Sequence, residues 1–155
     1  SATLEGGTMS FMKGSSRVND RYSLGSSMMR GFDANGIGPR EVNPGSYDDA
    51  LGGTNYAVAR FEAQFPLGIP NEYGLTGGVF YDVGSLWGLE ATKAFVDAKN
   101  NNLVKSDKFK LRHTVGFSLF WKTVIGPLRF NFMDVLQSET NDKTESFELT
   151  ISSIF

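Results

Sequence analysis

The strongest constraint on the fold is a two-residue alternation of apolar and polar side chains that recurs without any long apolar run. Residues 57–65, AVARFEAQF, place Ala and Phe at one parity and Arg60, Glu62 and Gln64 at the other. This period is typical of a strand, whose successive side chains point to opposite faces. The chain has no run of about 18 apolar residues, the length of a membrane-spanning helix. A transmembrane helix is therefore excluded.

Composition narrows the class further. The chain has 15 Lys and Arg against 17 Asp and Glu, a formal net charge of −2, which argues against a nucleic-acid binder. It has no Cys and a single His, His113, so disulfides, Cys-ligated metals and multi-His metal sites are excluded. The 18 Gly and 13 Phe leave two classes open, a soluble all-β domain and a transmembrane β-barrel.

The alternation predicts six strands separated by connections of unequal length. The strands are expected at about residues 1–13, 55–65, 75–87, 112–122, 128–136 and 147–155, with a long polar loop over 14–54. Connections after the second and fourth strands are short, and the others are longer and more polar. Such alternation is typical of outer-membrane barrels, although a soluble β-sandwich also has one apolar face.

Six strands are too few to close a barrel, since single-chain bacterial barrels start at about eight strands. An open strand edge within lipid would leave backbone groups without hydrogen bonds, which the bilayer does not tolerate. The chain is therefore expected to be part of a larger barrel, or to need another chain against its first strand.

Five short motifs follow one another in a fixed order. They are MMRGF at 28–32 with GIGPR at 36–40, LGG at 51–53 before a strand ending QFPL at 64–67, VFYDVGSLW at 79–87, the stretch from Arg112 to Phe130 with its GPLRF, and the terminal Phe155. In this order they resemble the BamA family of outer-membrane assembly proteins, also called the outer-membrane surface-antigen family. The family loop carries Val-Arg-Gly-Phe/Tyr, and Met29 stands here where Val is common.

The resemblance implies a fold and a function. The fold is a 16-stranded antiparallel transmembrane barrel, of which residues 1–155 would supply the last six strands, with the long loop directed into the lumen. The function is ATP-independent assembly and insertion of β-barrel proteins into the bacterial outer membrane, through a weak seam between the first and last strands. A related translocator, of the two-partner secretion type or TamA-like, is the alternative. The family's POTRA domains and first barrel strands lie outside these residues.

The same resemblance implies the partners. They are unfolded outer-membrane β-barrel proteins, accessory assembly lipoproteins and outer-membrane lipid, with no nucleic acid. No cofactor, no metal and no enzymatic activity are expected. The carboxylates of Glu62 and Asp82 also invite comparison with a glycoside hydrolase pair, but nothing around them in the sequence indicates a substrate site.

Arg30 is the central candidate of the loop motif, which consists of Met29, Arg30, Gly31 and Phe32. In the family the motif Arg docks against acidic residues on neighbouring strands, and Glu62 and Asp82 match those positions. Both lie on the polar parity of consecutive strands, so both can face the lumen. The planar fork of an Arg suits one or two shielded carboxylates. We therefore expect Arg30 within hydrogen-bonding distance of Glu62 or Asp82.

The last strand is the second candidate. Phe147, Leu149, Ile151 and Phe155 share one face, and in the resembling family a terminal aromatic strand is the signal by which barrels are recognised for assembly. Phe61, Phe65, Phe130 and Phe132 are expected to face lipid, because polar residues occupy the alternate positions. His113 is expected at the membrane interface rather than as a base or metal ligand.

Overall fold

The computed structural model describes residues 1–10, 17–43, 47–89, 103–105, 108–124 and 126–151. Its nine strands are β1 (Ala2–Thr8), β2 (Arg40–Asn43), β3 (Tyr47–Ala50), β4 (Asn55–Pro66), β5 (Leu75–Trp87), β6 (Leu103–Lys105), β7 (Arg112–Thr123), β8 (Gly126–Gln137) and β9 (Phe147–Ile151). Two short 3₁₀ turns, Val18–Asp20 and Asn71–Tyr73, complete the regular structure. Within these ranges no helix has the length and apolarity to cross a membrane.

The strands form two antiparallel sheets. The large sheet has the order β1-β4-β5-β7-β8-β9, and the small one the order β3-β2-β6. Each pair of neighbours in the large sheet is antiparallel, with one register shift in the β7–β8 pair between His113 and Thr114. The predicted all-β antiparallel class is confirmed. Within the described residues the large sheet is open, because β1 and β9 do not pair with each other.

The two faces of the large sheet differ as the alternation predicts. One face, here called the outer face, presents apolar side chains that lack cover from the rest of the described chain: Phe61, Phe65, Val79, Tyr81, Val115, Phe117, Phe132, Phe147, Leu149 and Ile151. The opposite, inner face carries Val58, Phe80, Asp82, Thr114, Ser118 and Asn131, all buried. A soluble protein rarely exposes so large an apolar surface.

The segment expected as a long loop over 14–54 contains regular structure. Its residues 17–43 and 47–54 include one 3₁₀ turn and the strands β2 and β3, which pair with each other, while β2 also pairs with β6. The first strand, β1, ends at Thr8 and is therefore shorter than the expected 1–13. Residues 11–16 and 152–155 lie outside the described residues, including the expected end of the last strand.

The core lies between this segment and the inner face. Leu24, Met29, Phe32 and Ile37 from the segment pack with Val58 of β4 and Leu86 of β5, and each is at most 2% exposed. The rings of Tyr22 and Tyr56 meet at its edge, with centroids 4.7 Å apart. The sheet therefore buries an apolar patch on its inner face only where the segment covers it.

The exposed outer face leads to a test of its environment. Phe117 lies near the middle of β7 and is 36% exposed. If this face meets lipid, Phe117→Lys in the full-length protein should lower the free energy of unfolding in bilayers by about 2–4 kcal/mol. Urea titration of the refolded protein measures this. Val124→Lys, in the exposed turn after β7, is the control, and equal effects of the two changes would contradict a lipid-facing surface.

Candidate functional site

A tight turn brings Arg30 onto the inner face. The backbone nitrogens of Met28 and Met29 donate to the carbonyl oxygen of Gly25, at 3.0 and 2.8 Å, which reverses the chain before the motif. Gly31 follows with φ +90°, a conformation that glycine adopts without strain. A β-carbon at Gly31 would also lie 2.6 Å from the Thr114 methyl group. This position therefore requires glycine for two separate reasons.

Arg30 makes a bidentate contact with Asp82 of β5. Its Nε donates to Asp82 Oδ2 at 2.7 Å and its Nη2 to Oδ1 at 2.6 Å, while its backbone nitrogen donates to Oδ2 at 3.1 Å. Its Nη1 donates to Glu62 Oε2 of β4 at 2.5 Å. The Asp82 side chain is fully buried, and those of Arg30 and Glu62 are 10% and 11% exposed.

An aromatic platform supports the guanidinium. The Arg30 Cζ lies 3.6 Å from the centroid of the Phe80 ring, the contact distance of a cation–π pair. Phe80 lies opposite Gly116 of β7 in the register of the sheet. A β-carbon at Gly116 would stand 2.4 Å from the Phe80 ring. Gly116 therefore leaves the space that the Phe80 ring occupies beneath Arg30.

The electrostatics favour the charged form of Arg30. Burial by itself would lower the Arg30 pKa, but the hydrogen bonds that Arg30 donates to Asp82 and Glu62, together with their negative charges, raise the pKa above its ordinary value. Two carboxylates facing one guanidinium leave one negative charge to neutralise. Arg129 of β8 neutralises this remaining charge, since its Nη2 donates to the same Glu62 oxygen that Arg30 contacts.

Arg129 is a site residue that the sequence prediction missed. It belongs to the GPLRF motif and lies on the polar parity of its strand together with Asn131. The signal was therefore present, but β5 and β7 separate β8 from β4 in the sheet. Sequence spacing cannot show that a side chain crosses two intervening strands.

A second buried ion pair was also missed. Arg112, the first residue of β7, donates from Nε and Nη2 to Asp142 at 2.9 and 3.1 Å, and both side chains are fully buried. Arg112 Nη1 donates in addition to the carbonyl oxygen of Lys110 at 2.8 Å. The pair fixes the connection between β8 and β9, which was expected only as one of the longer, polar connections.

The other predicted residues divide between the two faces. Met29 and Phe32 are fully buried in the core, and Phe32 forms an isolated β-bridge with Thr144. Phe147, Leu149 and Ile151 lie exposed on the outer face of β9, whereas Phe155 lies outside the described residues. His113 Nδ1 and the Tyr81 hydroxyl share a hydrogen bond.

The arrangement of charged side chains suits an anchor for the loop. A polar cavity of about 430 Å³ opens beside the ion pairs, lined by Arg30, Arg60, Glu62, Arg129 and Glu148 among others. Its carboxylates lie in ion pairs or hydrogen bonds with basic or amide side chains. In the part of the chain that the structure describes, no group of three His, Cys, Asp or Glu is placed to hold a metal ion.

Comparison with known proteins gives one consistent family. A family model described as the Omp85 superfamily domain matches residues 1–155. The outer membrane protein assembly factor BamA of Neorickettsia risticii is 37% identical over 138 residues, which are 89% of this chain and 17% of that protein. The same factor from Neisseria meningitidis serogroup B is 23% identical over 146 residues, 86% of this chain and 18% of that protein.

A solved structure shares the fold. The crystal structure of BamA from Haemophilus ducreyi lacking POTRA domains 1–3 matches with a TM-score of 0.67 and 24% sequence identity, covering 85% of this chain and 26% of that one. This chain thus spans less than a fifth of the length of the two assembly factors.

The Phe80 platform leads to a stability test. Gly116→Ala places a methyl group against the Phe80 ring and the Phe132 carbonyl oxygen, both at 2.4 Å. We expect the free energy of unfolding of the refolded full-length protein to fall by about 1–3 kcal/mol, the usual effect of overpacking. Gly6→Ala in β1 is the matched control, because its β-carbon would meet only the Tyr56 carbonyl oxygen at 3.4 Å. A Gly116→Ala protein as stable as the control variant would contradict the platform.

Proposed function

We propose, on the premise that the chain belongs to the Omp85 superfamily, that it is the C-terminal part of the barrel of an outer-membrane protein assembly factor. Proteins of this family are outer-membrane β-barrels, and this chain is part of one in the bacterial outer membrane. Two similar proteins carry the name of that factor. We infer the same role for the protein to which these residues belong, namely insertion of β-barrel proteins into the outer membrane.

We propose further that the six strands of the large sheet are the last six of a 16-stranded barrel, with residues 1–155 forming one portion of one domain. The open sheet and its exposed apolar outer face support this proposal. Lipid would cover the outer face, and the remaining strands of the barrel would pair with the open edges. The inner face would line the lumen. The segment over residues 14–54 would then be the loop that folds into it.

The proposed partners follow from this role. They are unfolded outer-membrane β-barrel proteins, accessory assembly lipoproteins and outer-membrane lipid. The proposed mechanism uses no ATP and opens a weak seam between the first and last strands of the barrel. In the described residues β9 is the edge strand of the large sheet, which is the place of the last strand at such a seam.

The observation that carries the proposal is the contact of Arg30 with Asp82 and Glu62. It fixes the motif Met29, Arg30, Gly31 and Phe32 against the inner face of consecutive strands. A loop so anchored can hold the barrel in one conformation while the seam opens elsewhere. We also propose that Phe147, Leu149, Ile151 and Phe155 form the C-terminal assembly signal of the protein itself, which the exposed apolar face of β9 supports.

The assembly role and its energy source can be tested together. Purified full-length protein in liposomes should fold a urea-denatured outer-membrane barrel substrate in the absence of any nucleotide. The measurement is the heat-modifiable gel mobility of the substrate against time, with empty liposomes as the control. A requirement for ATP would contradict the proposed mechanism. Export of a passenger protein without substrate folding would favour the translocator alternative.

The anchor can be tested in the same assay. Arg30→Ala leaves the buried Asp82 carboxylate without its counter-ion, a change that costs about 3–5 kcal/mol in buried ion pairs. We expect it to destabilise the loop and slow substrate folding. Arg30→Lys should rescue only in part, because Lys lacks the planar fork that contacts both oxygens of Asp82.

A double variant separates the ion pair from a general loss of packing. Arg30→Ala combined with Asp82→Ala should be less harmful than the sum of the two single changes, because neither charge is then left unpaired. Arg17→Ala, at an exposed Arg of the same segment, is the control and should leave substrate folding unchanged. Additive effects of the Arg30 and Asp82 changes would count against the anchor.

A further inference from the structure

The ion cluster at Arg30 continues across the sheet to the last strand. Glu62 Oε2 accepts hydrogen bonds from both Arg30 and Arg129. Arg129 also stacks on Phe120, with its Cζ 4.8 Å from the ring centroid. Because β5 and β7 lie between β4 and β8, Arg129 spans the inner face above them. Glu62 therefore connects Arg30 of the loop motif to β8. Arg30 itself has no described hydrogen bond or ion pair with that strand.

From Arg129 the hydrogen bonds continue through Asn131 to β9. Arg129 Nε donates to Asn131 Oδ1 at 2.8 Å, and Ser118 Oγ donates to the same oxygen at 2.7 Å. Asn131 Nδ2 donates to Glu148 Oε2 at 3.0 Å. Asn131 is 2% exposed and lies opposite Glu148 in the register of the two strands. The Asn131 amide accepts from Arg129 through its oxygen and donates to Glu148 through its nitrogen. The connection therefore depends on both ends of this side chain.

A separate set of backbone hydrogen bonds joins the loop motif to the connection that precedes β9. Glu145 N donates to Gly31 O at 3.0 Å, Asp33 N donates to Lys143 O at 2.9 Å, and Lys143 N donates to Gly36 O at 3.0 Å. The residues next to Arg30 thus pair with the residues that lead into β9. The buried Arg112–Asp142 pair holds this connection in place.

The last strand has few other constraints in the described chain. β9 pairs with β8 over five positions, from Leu128 opposite Ile151 to Phe132 opposite Phe147. No strand pairs with its other edge within the described ranges. Its outward side chains are exposed, whereas Glu148 faces inward and binds Asn131. Glu148 is therefore the side chain through which the described hydrogen bonds from Asn131 reach β9.

We propose that the loop motif controls the stability of the last strand through Glu62, Arg129, Asn131 and Glu148, and that Glu148 is the positioning residue of β9. When Arg30 holds Glu62, the carboxylate is fixed where it binds Arg129, which in turn orients Asn131 toward Glu148. Release of Arg30 weakens each later contact and loosens β9. The role of such loosening in substrate insertion rests on the proposed function, but the coupling itself does not.

Amide hydrogen exchange of residues 147–151 in the refolded full-length protein tests the coupling without any substrate. Asn131→Asp keeps the acceptor for Arg129 and replaces the donor toward Glu148 by a carboxylate of like charge. We expect exchange in β9 to rise about tenfold or more, the effect of losing a hydrogen bond to a charged group. Glu148→Ala should produce a similar rise. Thr150→Ala, which removes another inward side chain from β9, is the matched control and should leave exchange unchanged.

The proposal also predicts that Arg30 affects β9 at long range. Arg30→Ala should accelerate exchange in β9 severalfold, although Arg30 makes no direct hydrogen bond or ion pair with that strand among those described. The effect should be much smaller when Arg129→Met is already present, because the side-chain connection is then broken and only the backbone hydrogen bonds remain. Arg60→Met is the control, since Arg60 is a luminal Arg that pairs with Glu5 of β1 at 2.6 Å. It should not change exchange at 147–151.

Two outcomes would overturn the coupling. One is unchanged β9 exchange in Asn131→Asp and Glu148→Ala proteins that still show the heat-modifiable mobility of a folded barrel. The other is an Arg30→Ala effect that persists in full alongside Arg129→Met, since it would then act by another route. Failure of the wild-type protein to fold a substrate would contradict the proposed function and leave these exchange results standing.

Discussion

A charged group inside a protein is costly unless a partner of opposite charge and good geometry accompanies it, and the structure depends on how Arg30 meets that requirement. Its guanidinium lies between a fully buried carboxylate, Asp82, a second carboxylate, Glu62, and the face of Phe80. The contacts come from two consecutive strands and a distant loop. The loop therefore has one position in which each charge has a partner of opposite charge. Apolar contacts alone would not define such a position.

Small residues on the inner face make that position reachable. Gly116 leaves room for Phe80, and Gly31 allows the backbone turn that carries Arg30 past Thr114. Gly84 similarly lies beneath the sulfur of Met29. Glycine in a strand normally weakens it and marks a close approach of another group. At Gly84 the approaching groups include the loop residue Met29, and at Gly116 they include the Phe80 ring, so these two glycines serve packing on the inner face.

Local pattern predicted the sheet well because the alternation of side chains is a property of single strands. The parity of residues 56–65 predicted which side of β4 faces inward, and Glu62 and Asp82 were recognised from that parity together with a family resemblance. The short strands β2 and β3 escaped prediction, since REVN and YDDA are polar and too short to show a period. Arg129, Asn131 and Glu148 escaped as a group, because their connection depends on the order and register of strands in the sheet, which no local pattern contains.

The loop is held by two kinds of contact that respond differently to disturbance. Leu24, Phe32 and Leu86 belong to an apolar cluster, whose contacts are non-directional. The polar network is directional: Glu62 serves Arg30 and Arg129 at once, so losing one partner alters the position available to the other. Apolar packing thus keeps the loop on the inner face, while the polar network transmits its exact placement to β9. In the proposed mechanism, in which the barrel opens at one edge without unfolding, this division is an advantage, because the cluster can stay packed while the network at the edge breaks.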